Sequence, residues 1–352
     1  MKIVIQHDGS SAHFFDRTGW LKVFQFSGHQ VIFWDSRSKP ALDLFSEIGE
    51  VDLLIGQTYN VDDALLKVLY SRPSLRFIAK AGEWGNHTKD WDQKTKEEFP
   101  ILIESNKTKR IIKQLKEDTG KPDFVFCHYH QDYLEMTHGD WESIGIPVLS
   151  LMNAADLWDY TNGQYNQQLD SQVCYIGGYW PYKARTLNPY ILPLCNPNLK
   201  LKIQVWGNGW NVPQAMGQAP NELVKHLFKS AAVNPAISEP HSQKWGYDVT
   251  EKIFKLTSNK SFVISDYVEG MEKIYGDSVE YARTGPELLE KTLYYIANPA
   301  KKMKLIQRSY DITLVGHTYF ERCESIFNFY GLDFEVKKIK AAKDRLIKEL
   351  RL

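Results

Sequence analysis

The chain has 352 residues, of which 43% are hydrophobic and 24% are charged, so it can form packed cores and is not intrinsically disordered. This length suits two domains better than one. No apolar run approaches the roughly 20 residues of a membrane-spanning helix, and the first residues do not suit a signal peptide. We therefore expect a cytoplasmic protein. Its cysteines are scattered without metal-ligand spacing, and we expect them to be reduced: Cys127, Cys174, Cys195 and Cys323.

The formal net charge is zero, but the charge is uneven along the chain. Residues 1–170 carry 18 Lys/Arg and 25 Asp/Glu, whereas residues 171–352 carry 25 and 18. A basic second half suits a ligand that bears phosphate, and an acidic first half disfavours a nucleic acid bound there because like charges repel. Five of the seven excess positive charges lie in residues 337–352, so they can also belong to a solvated helix face.

The first half alternates strand-like and helix-like segments, which is the pattern of parallel β-α-β units. The predicted strands cover residues 2–6, 31–34, 52–56, 75–79, 123–127 and 147–151. The predicted helices cover residues 16–27, 41–48, 62–71 and 107–119. The first half is therefore expected to form one doubly wound parallel sheet.

The second half repeats this rhythm and predicts a second doubly wound α/β domain. Strands are predicted at residues 171–176, 200–206, 231–234 and 262–266. Helices are predicted at residues 183–194, 221–229, 248–257, 287–297, 300–313, 319–329 and 338–350. The segment 159–168 is polar and has no apolar periodicity, so we expect a linker there, with one domain at residues 1–165 and the next from residue 166.

Polar or glycine-containing segments follow the strands of the first half, where an open parallel sheet binds its ligands. After the first strand, His7 and Asp8 precede Gly9, whose missing side chain lets the backbone approach a ligand. His7 and Asp8 are candidate catalytic residues and Gly9 is a candidate ligand-binding residue, with simple turn formation as the alternative. Later strand ends supply further titratable side chains: Glu83, His128, His130 and Asp156. The two histidines lack an identifiable third metal ligand, so no metal site is predicted.

Two glycine-containing loops follow strands of the second half. Gly177 and Gly178 precede Lys183 and Arg185, and their backbone N–H groups and cations would oppose the charge of a diphosphate. This spacing is neither a P-loop nor the dinucleotide fingerprint, which disfavours an NAD-dependent enzyme. The second loop, Gly207-Asn208-Gly209-Trp210, suits packing against a nucleobase, with core packing of Trp210 as the alternative.

Residues 171–327 contain a series of short segments in this order: Tyr175-Ile176-Gly177-Gly178 with Arg185, Trp206-Gly207-Asn208-Gly209-Trp210, Thr250–Lys255, Phe262–Asp266, Gly285–Leu289 and His317-Thr318-Tyr319 with Arg322. In this order and spacing, the second half resembles the spore-maturation-protein-like branch of the group-1 glycosyltransferases. The resemblance implies an α/β GT-B fold, in which two Rossmann-like doubly wound parallel-sheet domains face a central cleft. It also implies that the second domain, residues 166–318, holds a nucleotide-sugar donor without an obligatory metal.

The same resemblance implies positions for several residues. Residues 319–352 would cross back to the first domain, which would bind the acceptor. Arg185 would lie at the donor phosphates, and the turn from Gly207 to Trp210 would lie near the nucleoside.

The chain departs from this family at Lys255. The family usually has Arg-x-Phe-Glu where this sequence has Lys252-Ile253-Phe254-Lys255, and the family glutamate accepts hydrogen bonds from the ribose hydroxyls. An ammonium group only donates, so Lys255 cannot take that role. Glu251 lies on the same helix face and either supplies the carboxylate or forms an i,i+4 ion pair with Lys255. Lys252 and Lys255 are also candidates for binding the donor phosphates.

These features predict a glycosyltransferase that moves a sugar from a UDP-, GDP- or other NDP-sugar to an acceptor hydroxyl. The resemblance implies retention of the anomeric configuration, whereas inversion would need a carboxylate base such as Asp8, Glu83 or Asp156. The acceptor is open between a glycan, a small molecule and a modified base of DNA, and the oligomeric state is also open. The alternative to an enzyme is a non-catalytic GT-B binding protein. The presence of Lys255 in place of the family glutamate favours this alternative.

Overall fold

The computed structural model describes residues 1–8, 11–82 and 106–351. These residues form two compact units: unit 1 contains residues 1–152 and 319–351, and unit 2 contains residues 153–318. Each unit has a parallel sheet with helices, which confirms the α/β class that the alternating segments predict. No helix in the described ranges is both long enough and apolar enough to cross a membrane.

Unit 1 is built on a six-stranded parallel sheet with the order β2-β1-β3-β4-β5-β6. The strands are β1 Lys2–His7, β2 Gln30–Asp35, β3 Leu53–Gln57, β4 Arg76–Lys80, β5 Phe124–Cys127 and β6 Val148–Ser150. The first helices are α1 Ser11–Phe26, α2 Ala41–Ile48, α3 Asp63–Ser71, α4 Asn106–Thr119 and α5 Leu134–Glu142. Ile3, Val4 and Ile5 are completely buried, as expected when both faces of a parallel sheet are covered. Helix α5 was not predicted, because its mixed sequence with a central Gly139 has no clear helical periodicity.

Unit 2 has a five-stranded parallel sheet with the order β11-β10-β9-β7-β8. The strands are β7 Ser171–Ile176, β8 Ile203–Trp206, β9 Ala231–Ala236, β10 Val263–Asp266 and β11 Glu280–Ala282. The helices are α6 Pro181–Tyr190, α7 Asn221–Ser230, α8 Pro240–Trp245, α9 Glu251–Ser258, α10 Glu269–Tyr275, α11 Gly285–Ala297 and α12 Met303–Gly316. The sequence did not predict α8, α10 and β11, because six, seven and three residues are too few to display a period.

The units divide between Met152 and Asn153, whereas the sequence places the boundary near residue 165. The polar segment 159–168 belongs to unit 2 because unit 2 binds its backbone. Gly163 N donates to Asn259 Oδ1 at 2.7 Å, and Asn166 N donates to Ser230 Oγ at 2.9 Å. Its polar composition therefore reflects hydrogen bonds within unit 2 rather than a solvated linker.

The last two helices, α13 Tyr319–Phe329 and α14 Asp333–Leu350, are part of unit 1. Helix α13 packs closely on α1: a Cβ atom at Gly19 would lie 2.2 Å from Tyr319 Cδ2. Arg322 Nε also donates to Met152 O at 2.8 Å. Helix α13, from the last part of the sequence, therefore completes the core of unit 1, which also contains the first strands.

This arrangement changes the interpretation of the charge. Residues 1–152 and 319–351 together carry 26 Lys/Arg and 28 Asp/Glu, and residues 153–318 carry 17 and 15. Unit 1 is therefore nearly neutral, because the basic C-terminal helix compensates the acidic first half. The acidic balance of the first half therefore gives no argument against a nucleic acid on unit 1 as a whole.

Each sheet contains one point where successive strands are added on opposite sides. In unit 1 this point lies between β1 and β3, and in unit 2 it lies between β7 and β9. Ligands of open α/β sheets bind beyond the carboxyl ends of the strands at such a switch point. The topology thus selects two of the many strand ends as places to look for a site.

Candidate functional site

The loop after β7 packs directly against the loop after β8 in unit 2. Tyr179 N donates to Asn208 O at 2.8 Å. Gly207 has φ +133°, and a Cβ atom there would lie 2.3 Å from Gly177 O. Gly209 has φ +85°, and its Cβ atom would lie 2.1 Å from Tyr179 O. Both positions therefore require glycine for contact between the two backbones.

Gly178 and Trp210, in the same pair of loops, have different environments. The nearest atom to a Cβ built at Gly178 would be 3.9 Å away, so this stretch of backbone is open. Trp210 Nε1 donates to Gly177 O at 2.7 Å, and its ring lies 5.5 Å from the ring of Tyr175 and 4.9 Å from that of Tyr179. The ring of Trp210 therefore packs against the core in this structure, which is the alternative that the sequence left open.

Lys183 on α6 forms an ion pair with Glu239, which follows β9. Nζ and Oε1 are 2.9 Å apart, and the two side chains are 13% and 12% exposed. Burial alone would lower the pKa of Lys183, but the neighbouring Tyr175, Glu239 and Asp266 outweigh it and raise the pKa. The pair spans the switch point, because its two members follow β7 and β9. The second oxygen of Glu239 is buried without a hydrogen-bond partner in the described part of the chain.

Lys252 on α9 reaches the same switch point. Its Nζ lies 4.0 Å from the ring centroid of Tyr175, and it is buried without a hydrogen-bond partner in the described ranges. A Cβ atom built at Gly177 would be 3.2 Å from this Nζ, so the amine lies against the glycine loop. Burial and the nearby charge of Lys183 lower the pKa of Lys252 well below its usual value. A buried cation without a counter-ion is unfavourable, so this place favours an anionic ligand.

Asp266, at the end of β10, fixes the loop that carries Glu239. Its carboxylate accepts hydrogen bonds from Ser238 N at 3.0 Å, from Ser238 Oγ at 3.1 Å and from Gln243 Nε2 at 2.7 Å. Complete burial raises the pKa of Asp266, and these hydrogen bonds only partly oppose that effect. Asp266 therefore has a positioning role.

Glu251 and Lys255 form the i,i+4 ion pair that was one of the two alternatives. Lys255 Nζ lies 3.0 Å from Glu251 Oε2 and 4.3 Å from the ring centroid of Tyr160. Burial alone would lower the pKa of Lys255, but Glu251 and Tyr160 outweigh it and raise the pKa. The side chains are 15% and 27% exposed, so this is not a surface pair.

Arg185 does not join the cluster of lysines. It lies two residues after Lys183 on α6, a rotation of about 200° around the helix axis, and its side chain is exposed. The structure therefore brings together Lys183, Lys252 and Gly177, and it leaves Arg185 on another face.

The switch point of unit 1 has a different chemistry. His7 is 9% exposed and stacks on Phe33 with ring centroids 4.2 Å apart, and burial lowers its pKa. Asp8 Oδ2 lies 3.5 Å from Arg37 Nη2. Gly9, the third residue predicted there, lies outside the described residues, as does Glu83.

The remaining strand-end candidates lie elsewhere in the two units. Asp156 belongs to unit 2, and its Oδ1 accepts from Trp158 N at 2.9 Å, as in a turn. His130 Nδ1 accepts from Asp132 N at 3.3 Å, and His128 is buried. The described ranges contain no group of three or more His, Cys, Asp or Glu side chains that could hold a metal ion.

Known structures share this arrangement of two parallel sheets. A T4 phage BGT in complex with its UDP-glucose substrate is 13% identical, with 100% of both chains covered and a TM-score of 0.54. A sucrose-phosphate synthase from Thermosynechococcus elongatus is 11% identical over 95% of this chain and 99% of the other, with a TM-score of 0.62. An alpha-glucosyltransferase in complex with UDP and a 13-mer DNA containing a HMU base is 12% identical over 94% and 99%, with a TM-score of 0.59. The fold is GT-B.

A family model described as glycosyl transferase-like matches residues 189–328 of this GT-B chain, from the end of α6 to α13. No curated protein matches its sequence. The matched segment includes Glu239, Lys252, Lys255 and Asp266.

Sequence reasoning missed Glu239 and Asp266 in this GT-B unit. Asp266 ends a predicted strand, but its burial could not be foreseen. A signal for Glu239 was present, since Pro240 follows it and proline favours the first position of a helix. A strand followed by Ser-Glu-Pro thus indicated a helix start at a strand end, where a carboxylate can face a ligand.

Proposed function

We propose that this GT-B protein is a glycosyltransferase that moves a sugar from a nucleotide-sugar donor to an acceptor hydroxyl. The observation that carries the proposal is the pair of lysines at the switch point of unit 2. Lys183 and Lys252 act on each other there, and Lys252 Nζ lies against Gly177, so two amines are available to bind a pyrophosphate group. The glycosyl transferase-like match over residues 189–328 supports the same activity.

The chemistry follows from the charge that the reaction creates. The bond from the anomeric carbon to the phosphate oxygen breaks, and negative charge develops on the leaving nucleoside diphosphate. Lys183 and Lys252 stabilise that charge in a largely buried place, where electrostatic interactions are strong. Glu239 orients Lys183, and its unpartnered Oε2 accepts a donor hydroxyl.

The stereochemistry and the metal requirement are part of the proposal. The resemblance to the spore-maturation-protein-like branch supports retention of the anomeric configuration without an obligatory metal. Proton NMR of the first product formed from an α-linked donor tests retention, and we expect an α-linked product. The reaction is expected to continue in excess chelator, and a β-linked product would instead indicate inversion.

Calorimetry against UDP-, GDP-, CDP- and ADP-sugars, followed by an assay of nucleotide release, tests the activity. We expect binding of at least one donor and a loss of affinity in Lys183→Met. Arg185→Met is the matched control, because this cation lies on the same helix but is exposed. Absence of binding by every donor would contradict the proposal and favour a non-catalytic scaffold.

DNA that carries a hydroxymethylated base is a second candidate acceptor, beside a glycan or a small molecule. Helix α4 of the nearly neutral unit 1 presents three exposed cations along one face: Lys107, Arg110 and Lys113. The similar structures include a DNA-modifying beta-glucosyltransferase. Transfer of labelled sugar to hydroxymethylated DNA, beside unmodified DNA and glycans, distinguishes the acceptors. If DNA is the acceptor, replacing these cations with Gln reduces the salt dependence of binding.

A further inference from the structure

Two other lysines, Lys183 and Lys255, act electrostatically on Lys252, and each of these two has a carboxylate partner. Lys183 is paired with Glu239 at 2.9 Å, and Lys255 is paired with Glu251 at 3.0 Å. Lys252 has no hydrogen-bond partner in the described part of the chain, and its Nζ is buried over the ring of Tyr175. The cluster therefore contains one buried amine that has no hydrogen-bonded counter-ion in the described part of the chain.

The groups that face Lys252 explain why it has no hydrogen-bonded counter-ion in the described ranges. The titratable groups around Lys252 are Cys174 and Tyr175 on β7, Lys183 on α6, Glu239 just before α8, Lys255 on α9 and Asp266 on β10. The two carboxylates already hold other donors, since Glu239 binds Lys183 and Asp266 binds Ser238 and Gln243. Neither is thus a hydrogen-bonded counter-ion for Lys252.

We propose that Lys252 takes up a proton from solvent when the donor's pyrophosphate binds, so that donor binding is coupled to protonation of this amine. The inference rests on the proposed function, because it requires a nucleotide-sugar donor at this switch point. In the free protein, burial and the charge of Lys183 favour the neutral amine and lower the pKa of Lys252. The arriving pyrophosphate supplies the missing counter-ion and favours the ammonium.

The sign of the pH dependence follows from this exchange. The donor complex holds one more proton than the free protein and free donor, so donor affinity falls as the pH rises. Above the pKa of Lys252 in the free protein, affinity is expected to fall by up to tenfold for each pH unit. A permanently charged lysine would give no such dependence.

UDP-glucose is the probe for the experiment, with GDP-, CDP- and ADP-glucose beside it. A terminal phosphate titrates near pH 6, but the sugar-linked phosphate of these donors has lost that second ionisation. Isothermal titration calorimetry at several pH values between 6.5 and 8.5, in buffers of different ionisation enthalpy, counts the protons directly. We expect uptake that rises toward one proton at the upper end of the range.

Lys252→Arg is the decisive variant, because guanidinium stays charged throughout this range. It is expected to bind the donor without proton uptake and with affinity nearly independent of pH. Lys252→Met is expected to bind at least tenfold more weakly, also without uptake. Lys229→Met is the matched control. Lys229 is a part-buried lysine in the last turn of α7, just before the first residue of β9, and burial also lowers its pKa. Its replacement is expected to leave the uptake unchanged.

The outcomes separate the inference from the function on which it rests. Donor binding without proton uptake in the wild-type protein, or equal uptake in Lys252→Arg, would overturn the inference and leave the proposed function in place. Absence of binding by all four donors would overturn the proposed function and the inference with it. Equal loss of uptake in Lys229→Met would show that the proton is bound elsewhere, and would also overturn the inference.

Discussion

The two sheets have their switch points in equivalent places but equip them with different chemistry. In unit 1, Gln57 N donates to Gln6 Oε1 at 3.2 Å, and the Asn60 amide donates to the Gln57 side chain. His7 stacks on Phe33 beside these amides. The unit 1 point thus combines neutral amides with an aromatic stack, and Asp8, one of its charged residues, lies near Arg37.

In unit 2 the corresponding point holds a buried ion pair and a lysine without a carboxylate partner. Both points are produced by the same topology, so topology alone does not specify a ligand. The difference is that Lys252 Nζ and Glu239 Oε2 in unit 2 are buried and have no hydrogen-bond partner in the described part of the chain. A strand end becomes a candidate ligand site when it contains buried polar groups that the described chain leaves unpartnered, and unit 2 meets that criterion.

Gly207→Ala should produce the largest effect on unit 2, because a Cβ atom there would lie 2.3 Å from Gly177 O at φ +133°. Steric strain and an unfavourable backbone conformation should lower the free energy of unfolding by about 2–4 kcal/mol. Urea denaturation measures this change. Gly178→Ala is the matched control and should change stability by less than about 0.5 kcal/mol, since its Cβ atom has space. Equal losses would show that the loops do not need this close contact.

Lys183→Met should reduce donor affinity by about 10- to 100-fold, which corresponds to about 1.4–2.8 kcal/mol. It should also destabilise the fold, because Glu239 would keep a largely buried charge without its partner. The double variant Lys183→Met with Glu239→Gln separates the two effects. It should recover stability in thermal denaturation but not donor affinity in calorimetry. Recovery of affinity would mean that Lys183 only neutralises Glu239.

Unit 1 should show its own pH dependence through His29, a buried residue just before β2. Its ring lies 5.9 Å from Phe24 and 5.4 Å from Phe327, and burial lowers its pKa to about 4. The unfolded chain binds a proton near pH 6.5 while the folded unit resists it, so stability falls as the pH drops from 6.5 toward 4. The loss should reach about 1–3 kcal/mol. Urea midpoints between pH 4.5 and 7.5 measure it, and His29→Gln should flatten the profile.

The comparison also shows which parts of the molecule the sequence could predict. Strands such as β7 were placed correctly because continuous apolar runs between turn residues are a local signal. The end of β7 pointed to Gly177 and Lys183 as site candidates, and the family resemblance pointed to Lys252. Their convergence could not be derived from local pattern, because it depends on α6 and α9 reaching the same end of β7.

Other parts could not be predicted because they depend on distant contacts. Lys183 and Arg185 are two residues apart and chemically alike, yet one is buried against Glu239 and the other is exposed. The segment 159–168 looks like a linker until its bonds to Asn259 and Ser230 are known. Helix periodicity predicts which residues share a face, but not which face meets a carboxylate from another element.

Glu251→Gln tests whether the Glu251–Lys255 pair also takes part in donor recognition. If Glu251 accepts a ribose hydroxyl, the variant should bind a UDP-sugar about tenfold more weakly, since hydrogen bonds to charged groups contribute about 1.5–3 kcal/mol. The same variant should lose less affinity for the 2′-deoxyribose form of that donor. Calorimetry with both donors makes the comparison. Equal losses for the two donors would mean that Glu251 acts only through its ion pair with Lys255.

Tyr182→Phe should have the smallest effect, because Tyr182 supports the site without belonging to it. Its hydroxyl lies 2.9 Å from His241 Nδ1, and His241 Nε2 lies 3.2 Å from Asp248 Oδ2. With the proton on Nε2, the hydroxyl donates to Nδ1 and the imidazole donates to Asp248, which joins α6 to α8 next to the Lys183–Glu239 pair. Loss of the hydroxyl should cost about 1 kcal/mol of stability.

The same substitution should weaken donor binding by less than about threefold, since the cations themselves remain. Tyr179→Phe is the matched control, because its hydroxyl makes one exposed hydrogen bond of 2.8 Å to Asn188 Oδ1. It should change neither stability nor affinity measurably. A larger loss of affinity in Tyr182→Phe than in Lys183→Met would mean that the connection between α6 and α8, rather than the charge it positions, determines donor binding in unit 2.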